Sequence, residues 1–180
     1  GNLYNFQYSA KSQRLSIDSL TVIPVQTREE FAAEHPFQST YLQVRSGPLV
    51  IEKPDINHLI SDTTLYIKSI SIQRPQISAY RDKNKPFEHG IIKPLPVTML
   101  KSIGMHFKID TVNVTDGVLR YTERSDKTQD TGTIFLTRIS ASLYPVSNML
   151  NGPTDTLRLK AESYLMGVAK STARFRESYS

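Results

Sequence analysis

Four histidines, His35, His58, His89 and His106, are the first residues in this 180-residue chain to be considered for chemistry. None falls in a His-x-His or His-Glu-x-x-His spacing, so a zinc site would have to gather its ligands from distant segments. Cysteine is absent, which removes disulfides, thiolate nucleophiles and cysteine-bound zinc. Glu88-His89 is an isolated acid–imidazole pair. The chain holds no Gly-x-Ser-x-Gly elbow, P-loop or Gly-x-Gly-x-x-Gly turn. Five acids, Asp110, Asp116, Glu123, Asp126 and Asp130, gather around one expected hairpin. Two carboxylates flanking a bond are what glycoside hydrolysis requires, so a carbohydrate-active hydrolase is one reading of this segment. The other is that these acids form turns and a polar edge that resists sheet pairing. Asn113-Val-Thr115 has the form of a glycosylation acceptor but falls within an expected strand. No residue pattern calls for a cofactor or a metal.

Charge narrows the partners. Lys plus Arg number 22 against 17 for Asp plus Glu, a formal net charge of +5. The excess clusters at Arg81, Lys83, Lys85 and Lys93, and again at Lys170, Arg174 and Arg176. Such a surface attracts anionic headgroups, acidic partners or nucleic acid. No RNA- or DNA-binding pattern accompanies it, so nucleic acid is not expected as a partner. No apolar run approaches the ~20 residues of a membrane-spanning helix, and no signal peptide is visible. At this length a single domain is expected over 1–180, burying roughly 70% of its unfolded surface.

The elements that would carry these residues are mostly strands. Ile, Val and Thr are abundant, whereas Gly numbers only 8. Strands are expected at 3–9, 14–23, 40–46, 48–53, 64–73, 76–82, 105–115, 117–124, 132–146 and 155–166. Three short helices are expected. In the first, 27–34, Thr27 and Glu30 have capping-box spacing. The second, 54–60, starts on Pro54, and the third, 96–103, starts on Pro96 and is closed by Gly104. Asp116-Gly117 reads as a tight hairpin, and Pro75 as the turn of the preceding strand pair. Residues 82–96 read as a loop, and 167–180 as a poorly ordered or truncated tail.

One spacing recurs. It appears in Leu15-Ser-Ile17-Asp-Ser-Leu20-Thr-Val22, Leu65-Tyr-Ile67-Lys-Ser-Ile70-Ser-Ile72, Phe107-Lys-Ile109-Asp-Thr-Val112-Asn-Val114 and Ile134-Phe-Leu136-Thr-Arg-Ile139-Ser-Ala141. Apolar residues alternate, skip two polar positions, and alternate again in the opposite phase. A strand has a side-chain period of two, so the skip would turn its second half to the wrong face. A β-bulge at the skip restores the facing and curves the sheet. The competing reading is two short strands meeting at a tight turn. The expectation is therefore a mainly β (α+β) fold, with a curved, mostly antiparallel sheet of bulged strands and about three short helices.

These units resemble AsmA-like envelope proteins, including the DUF748 group, as found in Bacteroidetes. The resemblance rests on Phe107-Lys-Ile-Asp-Thr-Val-Asn-Val-Thr-Asp-Gly-Val-Leu-Arg-Tyr-Thr-Glu123, on Tyr80-Arg-Asp82 before a basic loop, and on Arg14-Leu-Ser-Ile-Asp-Ser-Leu-Thr-Val-Ile-Pro24 with Glu29-Glu-Phe31. It covers roughly residues 10–150. It implies a periplasmic protein, anchored to the inner membrane by an N-terminal helix, whose curved sheet helps move or organise phospholipid. This chain lacks that helix and reads as a fragment, with Gly1 left by tag removal. The expected partners are phospholipid acyl chains, the remainder of a longer chain, and the membrane through the missing helix.

The expected lining of such a groove, or the plain core of the domain, is Ile17, Leu20, Val22, Ile67, Ile70, Ile72, Ile109, Val112, Val114, Leu136 and Ile139. Arg81, Lys83 and Lys85 are the candidates for headgroup contact. A non-enzymatic binding module is the leading reading, with the hydrolase and a purely structural envelope scaffold as alternatives.

Overall fold

The computed structural model describes residues 1–90 and 94–180. Strand accounts for 58% of the chain and helix for 11%, which makes the fold mainly β. The strands are β1 (Asn2–Ser9), β2 (Arg14–Val22), β3 (Thr40–Ser46), β4 (Leu49–Pro54), β5 (Thr64–Gln73), β6 (Gln76–Asp82), β7 (His106–Arg124), β8 (Thr131–Tyr144), β9 (Val146–Ser147), β10 (Thr156–Leu165) and β11 (Ala169–Ser178). The helices are α1 (Arg28–Glu34), α2 (Ile56–Asp62) and α3 (Pro96–Lys101). All the strands join one sheet. Its pairs are antiparallel except where β5 and β6 run parallel to β7.

Several of these elements form for the reasons their residues suggest. The Thr27 side chain accepts the Glu30 amide while the Glu30 carboxylate accepts the Thr27 amide, so the capping box of α1 is complete. Pro96 occupies the first turn of α3, where its missing N–H costs nothing. The second helix differs from expectation. Pro54 ends β4, and Asp55 caps α2 by accepting the His58 amide.

The largest departure from expectation lies at the supposed hairpins. Neither Pro75 nor Asp116-Gly117 reverses the chain. Ile72 pairs with Val114 and Gln76 with Val118, so the same offset persists on both sides of these residues. Residues 64–82 and 106–124 are thus two long parallel strands, each bent once. Arg74 (φ 47°) and Asp116 (φ 54°) take left-handed backbone at the bends. The corner is pinned because the Arg74 amide donates to the Thr115 carbonyl and the Val118 amide donates to the Pro75 carbonyl, both at 2.8 Å. An Asp-Gly pair reverses a strand only when the strand can fold back on itself. Here partners on either side keep the ladder going, so the same residues make a corner. β3 and β4 form a third bent strand, with Gly47-Pro48 at its corner.

The expected bulges are present in part. β7 and β8 lose register between Val114 and Gly117 and again between Gly117 and Leu119, the second shift falling at Thr137-Arg138. Arg138 there has φ 50°. At Lys68-Ser69 and Asp110-Thr111 there is no bulge between β5 and β7. Both strands carry the same skip at the same level, so neither gains a residue on the other. The skip still serves its purpose, because Phe107, Ile109 and Val112 all pack in one cluster.

The tail is also not as expected. Residues 169–178 pair along their whole length with β10, and Tyr179 is fully buried. Its phenol donates to the Pro145 carbonyl at 2.6 Å and accepts the Ser147 amide at 3.1 Å. Around it lie Val97, Phe107, Val146 and Leu157, the main core cluster of the molecule. The middle of the expected 82–96 loop, including Lys93, lies outside the described residues.

Candidate functional site

The ladders align apolar residues into rows that run across the sheet. One row reads Tyr8, Leu15, Ile51, Ile70, Val112, Leu143, Leu159, Phe175. Two residues along each strand, the next reads Phe6, Ile17, Leu49, Ile72, Val114, Ala141, Ala161, Ala173. Beyond the corner a third reads Val22, Val44, Ile77, Leu119, Leu136, Leu165, Ala169. Between the first two rows, on the opposite face, lie Gln7, Ser16, Val50, Ser71, Asn113, Ser142, Lys160 and Arg174. Alternation along a strand sends neighbouring residues to opposite faces. One face is therefore apolar from edge to edge, and between these two rows the other face is polar apart from Val50.

Where the second and third rows meet, the corner makes a trough of about 260 Å³. Its walls are Leu49, Ile72, Val114 and Ala141 on one arm and Val44 and Ile77 on the other, with Leu20, Pro75, Gly117, Val118 and Ile139 along the seam. Ser46 is the one polar side chain among the lining residues. Its hydroxyl is buried and has no hydrogen-bond partner.

Among the described residues, none from a helix lines this trough. Val97 of α3 packs on the cluster that takes in Val112, Leu143 and Phe175, so this helix covers the far end of the first row. α1 lies on the other face, because Phe31 packs edge-on against Tyr41 at 5.4 Å and Tyr41 alternates with Leu42 and Val44. α2 sits against β5, with His58 edge-on to Tyr66.

Of the residues expected to line a groove or a core, Leu20, Ile72, Val114 and Ile139 line the trough. Ile17, Ile70, Val112, Val22 and Leu136 belong to the three rows. Ile67 is buried and pairs with Ile109, which packs beside α3. The sequence pattern did not single out Val44, Leu49 or Ile77, which come from strands without the skip and are read only through their partners.

The basic candidates stand at the end of the floor. Past the third row come Leu42, Ala79, Tyr121 and Ile134, then Thr40, Arg81, Glu123 and Gly132. Arg81 donates to the Thr40 hydroxyl at 3.0 Å, while its Nε is buried without a partner. Lys83 is 2.7 Å from one Glu123 oxygen, and the Tyr121 phenol donates to the other at 2.7 Å. The Lys83 hydrogen bond, followed by that of Tyr121, holds the Glu123 carboxyl below its ordinary pKa. Burial, aided by Glu123, pushes the Tyr121 phenol up. Lys85 is turned inward, donating to the Ala32 and His35 carbonyls at the end of α1. It therefore caps a helix and offers nothing to a headgroup.

Asp116 stands at a corner, so Asp110 is separated from Glu123, Asp126 and Asp130, which gather at the β7–β8 hairpin. Asp110 pairs with Lys68 at 2.8 Å on one arm, and Glu123 is on the other. The chain between them runs on the order of 40 Å along β7, through the corner at Asp116. Glu123, held ionised by a lysine, is poorly suited to donate a proton. His35 Nδ1 lies 2.8 Å from the Phe31 carbonyl and His58 Nδ1 lies 2.7 Å from Asp55, while His89 packs edge-on to Phe87. Among the described residues no three His, Asp or Glu side chains are grouped to hold a metal ion, and no helix is long and apolar enough to cross a membrane. No protein-family model matches this chain, and no curated protein matches it significantly.

Proposed function

We propose that this chain is a non-enzymatic cell-envelope module whose bent sheet supplies part of a groove for phospholipid acyl chains. The observation that carries the reading is the apolar face, continuous from one sheet edge to the other and left uncovered by helices at the corner trough. A folded sheet with one oily side ordinarily hides it beneath helices or a second sheet. Here the helices sit at the ends or on the other face. An acyl chain laid along the rows would gain about 0.8 kcal/mol for each CH₂ removed from water. Arg81 and Lys83 stand where the apolar floor ends, on the side where a phosphate headgroup would emerge. The resemblance to AsmA-like and DUF748 proteins supports a periplasmic setting, phospholipid transport or outer-membrane organisation as the role, and attachment to the inner membrane through a longer chain.

Purified protein, extracted into organic solvent and examined by mass spectrometry, should yield phospholipid or fatty acid in near-stoichiometric amount. A lipid-free extract, together with no mass shift of the intact protein on adding phospholipid, would overturn the reading.

A further inference from the structure

On the polar face, β10 and β11 set like charges directly opposite one another. Arg158 faces Arg176, and two residues along Lys160 faces Arg174. Cross-strand pairs of like charge are destabilising. None of these four makes an ion pair with the described carboxylates. All four are exposed. The one acid of these two strands on the polar face, Glu162, is taken by Lys170 at 3.2 Å, and Glu177 lies on the other face opposite Leu157. A hollow of about 540 Å³ lies beside the cations, with Ser142, Lys160 and Arg174 on one wall and Ser140, Glu162 and Thr172 on the other. A second observation concerns the turn that joins these strands. Met166 and Val168 stand at it, and they are 44% and 82% exposed.

The unneutralised cations lie six to eight residues from this turn, roughly 20–26 Å along the same hairpin, and an apolar turn with a cationic stretch behind it suits an anionic bilayer. Apolar side chains enter the acyl boundary while Lys and Arg meet lipid phosphates. We propose that the β10–β11 hairpin docks on the surface of an anionic phospholipid membrane, polar face down, with Val168 and its neighbours entering the interface. This site lies on the face opposite the apolar rows and does not depend on the acyl groove. It also accounts for the repulsion built into the ladder, which the lipid phosphates would neutralise.

The test is co-sedimentation of the intact chain with vesicles of phosphatidylcholine alone and of phosphatidylcholine mixed with phosphatidylglycerol. Binding is expected only to the mixed vesicles, weakening as salt rises. The double variant Lys160→Gln/Arg174→Gln should bind about thirty-fold more weakly, at roughly five-fold per cation. It should also melt at a higher temperature than the parent, because a like-charge pair has been removed. The chain has no tryptophan, so Val168→Trp adds a single reporter whose emission should shift to the blue on the mixed vesicles. Equal binding to both vesicles, unchanged binding by the double variant, or a tryptophan that stays in water would overturn the proposal. So would binding to single-stranded nucleic acid with none to vesicles.

Discussion

Replacing Tyr179 with alanine should lower the unfolding free energy by about 4 kcal/mol, within the range for removing a large buried aromatic. The side chain is fully buried among Val97, Phe107, Val146 and Leu157. Its loss would leave a cavity that the backbone of β9 cannot collapse to fill. The Ser147 amide and the Pro145 carbonyl would also lose their partner in a buried site. Tyr179→Phe separates the two effects. It keeps the ring and should cost about 1–2 kcal/mol for the unpaired groups alone. Denaturant unfolding followed by circular dichroism checks both. A tail that contributed nothing to stability would leave both variants at the parent midpoint.

Filling the trough should abolish lipid binding without unfolding the protein. Ala141→Phe places a ring where the second row meets the seam, facing Val114 and Ile139. The trough of about 260 Å³ has room for it, since cavities of roughly 150 Å³ already accept benzene. The ring therefore occupies the space proposed for an acyl chain rather than forcing the strands apart. We expect at least a tenfold loss of bound lipid by mass spectrometry, with a melting temperature equal to or above that of the parent. A variant that keeps its lipid would place the ligand elsewhere. A variant that melts much lower would mean that the space is already part of a tight core, which overpacking would disrupt.

Much of this architecture is legible in the residues, and the misreadings have identifiable causes. Strand positions follow from alternation of Val, Ile and Leu with polar residues, and α1 announces itself through Thr27 and Glu30. The orientation of Ile109 and Val112 toward one cluster follows from the skip between them. The corners are not legible because local sequence cannot say whether a left-handed residue such as Asp116 reverses a strand or bends it. That depends on whether neighbouring strands pair across the bend. β11 is legible only as a truncated tail, because Lys170, Thr172, Arg174 and Arg176 outweigh the apolar side of the strand. That side holds only Ala169, Ser171, Ala173 and Phe175 before Glu177, and small residues give a weak alternating signal. Pairing with β10 and the anchor at Tyr179 supply what intrinsic preference lacks. Of the candidate site, the skipping strands declared their share, while Val44, Leu49 and Ile77 became visible only through register. The expected role of Lys85 failed for a simpler reason, in that the carbonyls ending α1 lie within its reach.

The central claim is that the apolar rows face a passage open to acyl chains while the alternating residues face water. Because the chain has no cysteine, single cysteines can carry a fluorescent probe at Ile77 on the apolar face and at Ser71 on the polar face. The measurement is quenching of each probe by phospholipid bearing a spin label on its acyl chain, added below the concentration that forms vesicles. Strong, saturable quenching at Ile77 with little at Ser71 is the predicted result. Equal quenching at the two positions, or none at Ile77, would contradict the account.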